Sequence, residues 1–238
     1  MRFGMFKRYD HLYALAAVLF LLSTASSRAA AQEAKALYEQ KCLTCHATSR
    51  TKKVSIKARA SVKGPPLWFA ASKFQPDWLE AWLEAPEPIY GVKWGTLEKG
   101  ADAHPAVGAA EAKQLTQYLM TLADAQVKAG ATPPLPKSRG RRLSMLGRTA
   151  ELFEKQQGCY ACHRYLNKRR TELGGFSGPS LVKASERLQP DWVYAFLKDP
   201  RRYYPDGKCP IPGEQAFNKY TDENRAALAT YIVNIGIR

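Results

Sequence analysis

Apolar positions along this chain recur in two matching sets. Leu115, Tyr118, Leu119 and Leu122 follow the i, i+3, i+4, i+7 spacing of one helix face, and Leu228, Tyr231, Ile232 and Ile235 repeat it 113 positions later. Upstream of each stripe lies a second shared frame. It reads FQPDWLEAWLEAPEPIY at 74–90 and LQPDWVYAFLKDPRRYY at 188–204, an offset of 114. Gly64-Pro65 and Gly178-Pro179 keep that offset. Landmarks in one order at nearly one spacing mark an internal duplication.

The pattern predicts three helices in each half. The first covers Glu33–Cys42 or Thr149–Gln157. The second starts at Pro76 or Pro190, where proline suits a first turn and Asp77 or Asp191 complements the helix dipole, and ends before Pro86 or Pro200. The third covers Ala109–Ala125 or Thr221–Ile235. No stretch alternates with period two, so the expected class is all-α.

A separate apolar run, Leu12–Leu22, follows Arg2, Lys7 and Arg8 and precedes Ala29-Ala30-Ala31. It falls short of the ~20 residues a membrane span needs. Residues 1–31 are therefore expected to be a cleaved signal peptide rather than a retained anchor, and the mature chain to be periplasmic. The remaining length suits two domains, at 32–129 and 143–238, joined by the proline-rich, basic linker GATPPLPKSRGRR at 130–142.

Charge adds a partner class. The chain carries +15, and loss of residues 1–31 leaves +12, with basic residues concentrated at Lys52–Lys63, Lys137–Arg148 and Lys168–Arg170. Against the plain reading of a solvated surface, this favours docking onto an acidic redox partner, or peripheral contact with an anionic membrane. Export and the absence of a groove-reading or stacking motif argue against nucleic acid.

The chemistry lies in Cys42-Leu43-Thr44-Cys45-His46 and Cys159-Tyr160-Ala161-Cys162-His163. In each C-x-x-C-H, two cysteines three apart on a helical turn face one way and can each form a thioether to one porphyrin. The following histidine then stands beneath the iron. A thioredoxin-type pair needs a βαβ setting, a zinc site needs its C-x-x-C pairs close together, and disulfides need no histidine. The pattern therefore predicts two covalently bound haem c groups, held by Cys42, Cys45, Cys159 and Cys162, with His46 and His163 as proximal iron ligands.

Both halves resemble class I cytochrome c domains, and residues 33–238 resemble a tandem diheme member of that family. The resemblance implies a few helices around each haem, with first and last helices packed through Tyr118-Leu119 and Tyr231-Ile232. It also implies that Pro65 and Pro179 carbonyls accept a bond from the proximal histidines. The family's usual distal methionine is missing. Of the methionines beyond the leader, Met120 falls in the last helix of the first half and Met145 at the start of the second. The corresponding loops hold Ala103-His104-Pro105 and Lys208-Cys209-Pro210. His104 is thus the candidate distal ligand of the first haem, against a solvated surface histidine. Cys209 is the candidate for the second, as a thiolate, against a free thiol or an intermolecular disulfide.

Two functions fit. One is an electron carrier, or electron-transfer subunit, between periplasmic or membrane redox partners, with both potentials lowered by the loss of methionine. The other is a sulfur-oxidising enzyme. A cysteine-ligated haem in a tandem cytochrome resembles the catalytic haem of thiosulfate dehydrogenases, although those keep methionine on the other haem in at least one redox state. A haem-bridged structural subunit is a weaker third. The carrier is favoured, because the ligand pattern defines no substrate pocket.

Overall fold

The computed structural model describes residues 28–55, 61–94, 96, 98–100, 103–210 and 221–236. The expected signal peptide therefore lies, for its first 27 residues, outside the described residues. No described helix is long and apolar enough to cross a membrane.

The first half contains α1 (28–41), α2 (Ala70–Lys73), α3 (Pro76–Glu84) and α4 (Ala109–Leu119). The second contains α5 (Arg139–Glu151), α6 (Ala184–Arg187), α7 (Pro190–Lys198), α8 (Pro200–Tyr203) and α9 (Asp222–Ile232). Helices dominate, as expected. Helices α3 and α7 begin on their prolines, Pro76 and Pro190. Helix α9 is capped by Thr221, whose hydroxyl accepts from Asn224 N at 3.2 Å.

In the first half α3 packs on α4, with Tyr38, Phe74, Leu79, Leu83, Leu115 and Leu119 buried between them and α1. In the second, α9 packs on α7 and α5 around Phe153, Leu188, Trp192, Val193, Leu228 and Ile232. First and last helices meet through aromatic pairs in both halves: Tyr38 with Tyr118 at 5.0 Å, and Phe153 with Tyr231 at 5.5 Å. That is the contact the resemblance implied.

Three features depart from the sequence reading. Helix α5 starts at Arg139, inside the stretch expected as linker, where Arg139, Arg141, Arg142, Leu143 and Met145 favour helix strongly enough to carry it through Gly140 and Gly147. It then widens into a π-turn, Leu152–Gln156, and turns at Gly158 with φ +58°, which delivers Cys159. A two-stranded antiparallel hairpin, β1 (Tyr165–Leu166) with β2 (Glu172–Leu173), follows the second C-x-x-C-H. The Asn167 side chain makes its turn, accepting from Arg169 N and Thr171 N at 2.8 and 2.9 Å. Finally, residues 130–133 are tied to the second half. The Asp191 carboxylate accepts from Gly130 N and Thr132 N, each at 2.8 Å, and Thr230 Oγ1 donates to Pro133 O at 2.7 Å.

The halves share a core and a reciprocal seam. Phe69, from the first half, is fully buried in the second half's cluster and stacks on Trp192 at 5.8 Å, while Trp68 stacks on Tyr203 at 5.8 Å. Phe74 and Leu188 form an antiparallel bridge. Gln75 N donates to Arg187 O at 2.9 Å, and Gln189 N to Lys73 O at 2.8 Å. The side-chain amides of Gln75 and Gln189 bond each other at 3.1 Å. Beside this seam Asp124 receives Arg202 through Nε at 2.8 Å and Nη2 at 2.6 Å, and the Tyr203 hydroxyl at 3.0 Å.

Candidate functional site

Each C-x-x-C-H sits where a helix gives way to a turn. Cys42 N donates to Tyr38 O at 2.8 Å and His46 N to Cys42 O at 2.9 Å, continuing α1 through the motif. In the second half His163 N donates to Cys159 O at 3.1 Å. None of the four motif cysteines forms a disulfide.

The proximal histidines are held alike. Nδ1 of His46 lies 2.8 Å from Pro65 O, and Nδ1 of His163 lies 2.8 Å from Pro179 O. A carbonyl can only accept, so Nδ1 carries the proton in each pair and Nε2 keeps its lone pair. The glycines before these prolines permit the approach. A Cβ on Gly64 or Gly178 would stand 2.6 Å from Cε1 of His46 or His163. Burial lowers the pKa of both imidazoles, outweighing the proline bonds that raise it, so the rings are neutral at pH 7, the form that binds metal.

His104 comes to the first of these histidines. Its ring centroid is 6.0 Å from that of His46 and 4.6 Å from Trp82. Its Nδ1 bonds Pro105 O at 3.0 Å, which again leaves Nε2 available. Val107 N donates to Leu83 O at 3.0 Å and pins the loop to the end of α3. Metal–imidazole bonds are ~2 Å, so two histidines sharing one metal place their rings at roughly this separation. Met120 caps α4 and packs on the first core, and Met145 lies within α5.

Cys209 lies next to the second motif, close enough that its charge bears on Cys159 and that of Cys162 bears on it. Burial pushes the Cys209 thiol up to about 11 and the Cys159 thiol up to about 12. Without a metal's charge Cys209 therefore stays protonated at neutral pH.

The structure adds two residues that sequence reasoning missed. Lys73 and Arg187 stand 114 apart, directly ahead of the repeated Phe/Leu-Gln-Pro, and are 7% and 4% exposed. Lys73 Nζ donates to the Tyr204 hydroxyl at 2.8 Å and lies 4.5 Å from the Phe74 ring centroid. Arg187 Nη2 donates to Ser180 O at 2.8 Å, and its charge reaches His163. Burial drives the Lys73 pKa well below the usual range, Arg187 adding to the effect. Neither forms a salt bridge among the described residues. Buried cations without carboxylate partners suit a cofactor that brings two carboxylates of its own, as haem does. The repeated cation was visible in the sequence; its burial was not.

The profile of the cytochrome c family, described as Cytochrome c, matches residues 31–123 and again 148–236. The chain belongs to the cytochrome c family. No curated protein and no solved structure matched it. The two matches make it a cytochrome of two tandem domains, and membership implies covalently bound haem c. The residues fit that group: thiols at thioether spacing, a proximal imidazole with free Nε2, and buried cations for its carboxylates. When bound, haem supplies the one-electron iron chemistry, and the chain sets its ligands, polarity and access.

Proposed function

We propose that this cytochrome is an exported diheme electron carrier that relays electrons between periplasmic or membrane redox partners. The observation that carries the reading is the shared core. Two haem-binding frames are locked by Phe69, the Gln75–Gln189 pair and the Asp124–Arg202 pair, so two redox centres keep a fixed separation. In this reading Cys42 and Cys45 hold one haem between His46 and His104. Cys159 and Cys162 hold the other between His163 and Cys209.

His104→Ala tests the first assignment. The ferric first haem should change from low to high spin and take up added imidazole. A visible spectrum indistinguishable from wild type would remove His104 as a ligand.

Docking is assigned to exposed basic residues, among them Lys168 and Arg169 in the hairpin turn and Lys137, Arg139 and Arg141 around the start of α5. Exposed charges are screened over ~10 Å at 0.1 M salt. The second-order rate of electron transfer to an acidic acceptor protein should therefore fall as salt rises. A rate indifferent to salt would assign docking to apolar surface instead.

The placement of Cys209 beside the second motif favours one further reading, oxidation of a sulfur substrate at that haem. Turnover of thiosulfate with an artificial acceptor decides between it and the carrier.

A further inference from the structure

Helix α8 carries Arg201 toward the Cys209 loop. Its Nη1 is buried and has no hydrogen-bond partner among the described residues. That nitrogen lies 3.6 Å from where a Cβ on Gly207 would stand, so the guanidinium reaches the turn closed by Gly207 N donating to Tyr204 O at 2.9 Å. Cys209 leaves this turn two residues later.

The duplication supplies an internal control. The residue 114 positions before Arg201 is Glu87. Glu87 is exposed and accepts from Lys183 Nζ at 2.7 Å. The half whose candidate ligand is a neutral imidazole thus has an outward acid at this position. The half whose candidate ligand is an anionic sulfur has a cation whose buried nitrogen has no partner among the described residues. An unmatched buried donor is costly, and an anion delivered beside it removes the cost.

We infer that Arg201 is a positioning residue that holds the Cys209 thiolate on the second haem iron. The inference rests on the reading of Cys209 as that haem's distal ligand. Cys209 touches the iron, and Arg201 acts through it by offsetting its charge.

The test compares ferric EPR spectra and haem potentials of the wild-type holoprotein with Arg201→Gln, Arg201→Met and Arg201→Lys. Either neutral variant should lose the thiolate-type low-spin signal of the second haem. The signal of the first haem, unchanged, reports an intact fold. Arg201→Lys should retain the thiolate signal. In a Cys209→Met background the ligand is neutral, so adding Arg201→Gln should leave the second haem's potential where Cys209→Met alone puts it. A wild-type thiolate signal that survives both neutral variants overturns the role of Arg201 and leaves Cys209 as ligand. A potential shift that persists in the Cys209→Met background also overturns it, and assigns the guanidinium to a haem carboxylate. A wild-type spectrum without a thiolate signal removes the ligand reading and this inference together.

Discussion

Alanine in place of Asp124 should destabilise the folded cytochrome by about 3–5 kcal/mol, the cost of leaving a buried charge without its partner. Asp124 is 5% exposed, and its carboxylate accepts from Arg202, Tyr203 and Gln126 N. Arg202 and Tyr203 come from the other half, so the substitution strikes the seam and strands Arg202, whose side chain is 14% exposed. In a chain of 238 residues the midpoint of thermal unfolding should drop on the order of 10 °C. Acid should erase the difference. Burial alone would raise the Asp124 pKa, but the bonds from Arg202, Gln126 and Tyr203 and the guanidinium charge outweigh it and hold the group below the usual carboxylate range. A depressed folded pKa stabilises above the unfolded value of ~3.9, and the gain disappears as pH falls through the folded value. Wild type and variant should therefore differ most near neutrality, draw together as pH falls below about 4, and converge below the folded value. Melting curves followed by circular dichroism measure both. A loss under ~1 kcal/mol would put the pair in the class of exposed ion pairs.

The second large effect concerns the cofactor. A Cys42→Ala/Cys45→Ala variant should carry one haem, a Cys159→Ala/Cys162→Ala variant the other, and the fourfold variant none. Intact mass of the purified protein reads this directly, each step being the mass of one haem. Without thioethers a haem is held only by its axial ligands and packing, so denaturing conditions should release it. The surviving haem of each double variant should keep its wild-type spectrum, because its own ligands come from its own half. A double variant that still carries two covalent haems would show that its motif is not an attachment site.

Much of the fold was legible because its signals are local. Helices α3 and α7 announce themselves by Gln-Pro-Asp-Trp and an apolar stripe, and α9 by Thr221 and the Leu228–Ile232 face. The hairpin was hidden because strands of two residues are too short to show alternation, and its turn is made by a side chain, Asn167. What joins the halves was hidden for another reason. Phe69 reads as a core residue, and nothing local says that the core belongs to the other half. Gln75 and Gln189 were visible as repeated letters, but pairing between copies leaves no periodicity. At the site, thiol spacing fixes the attachment chemistry, whereas the approach of His104 to His46 depends on how the loop folds back from α3. The opposite characters of Glu87 and Arg201 emerge only when aligned repeats are compared with burial.

The reciprocal bonds across the seam have an evolutionary consequence. Gln75 does to the 187–189 segment what Gln189 does to the 73–75 segment, the signature of an isologous contact between identical subunits. This cytochrome therefore has the architecture of a fused homodimer. Two identical subunits cannot differ in their ligands, because every substitution appears twice. Fusion lifts that restriction, and the copies have since parted at His104 and Cys209 and at Glu87 and Arg201, while the bonds of Gln75 and Gln189 between them stayed symmetric. In the proposed carrier, such an asymmetry would give an electron crossing the molecule a direction.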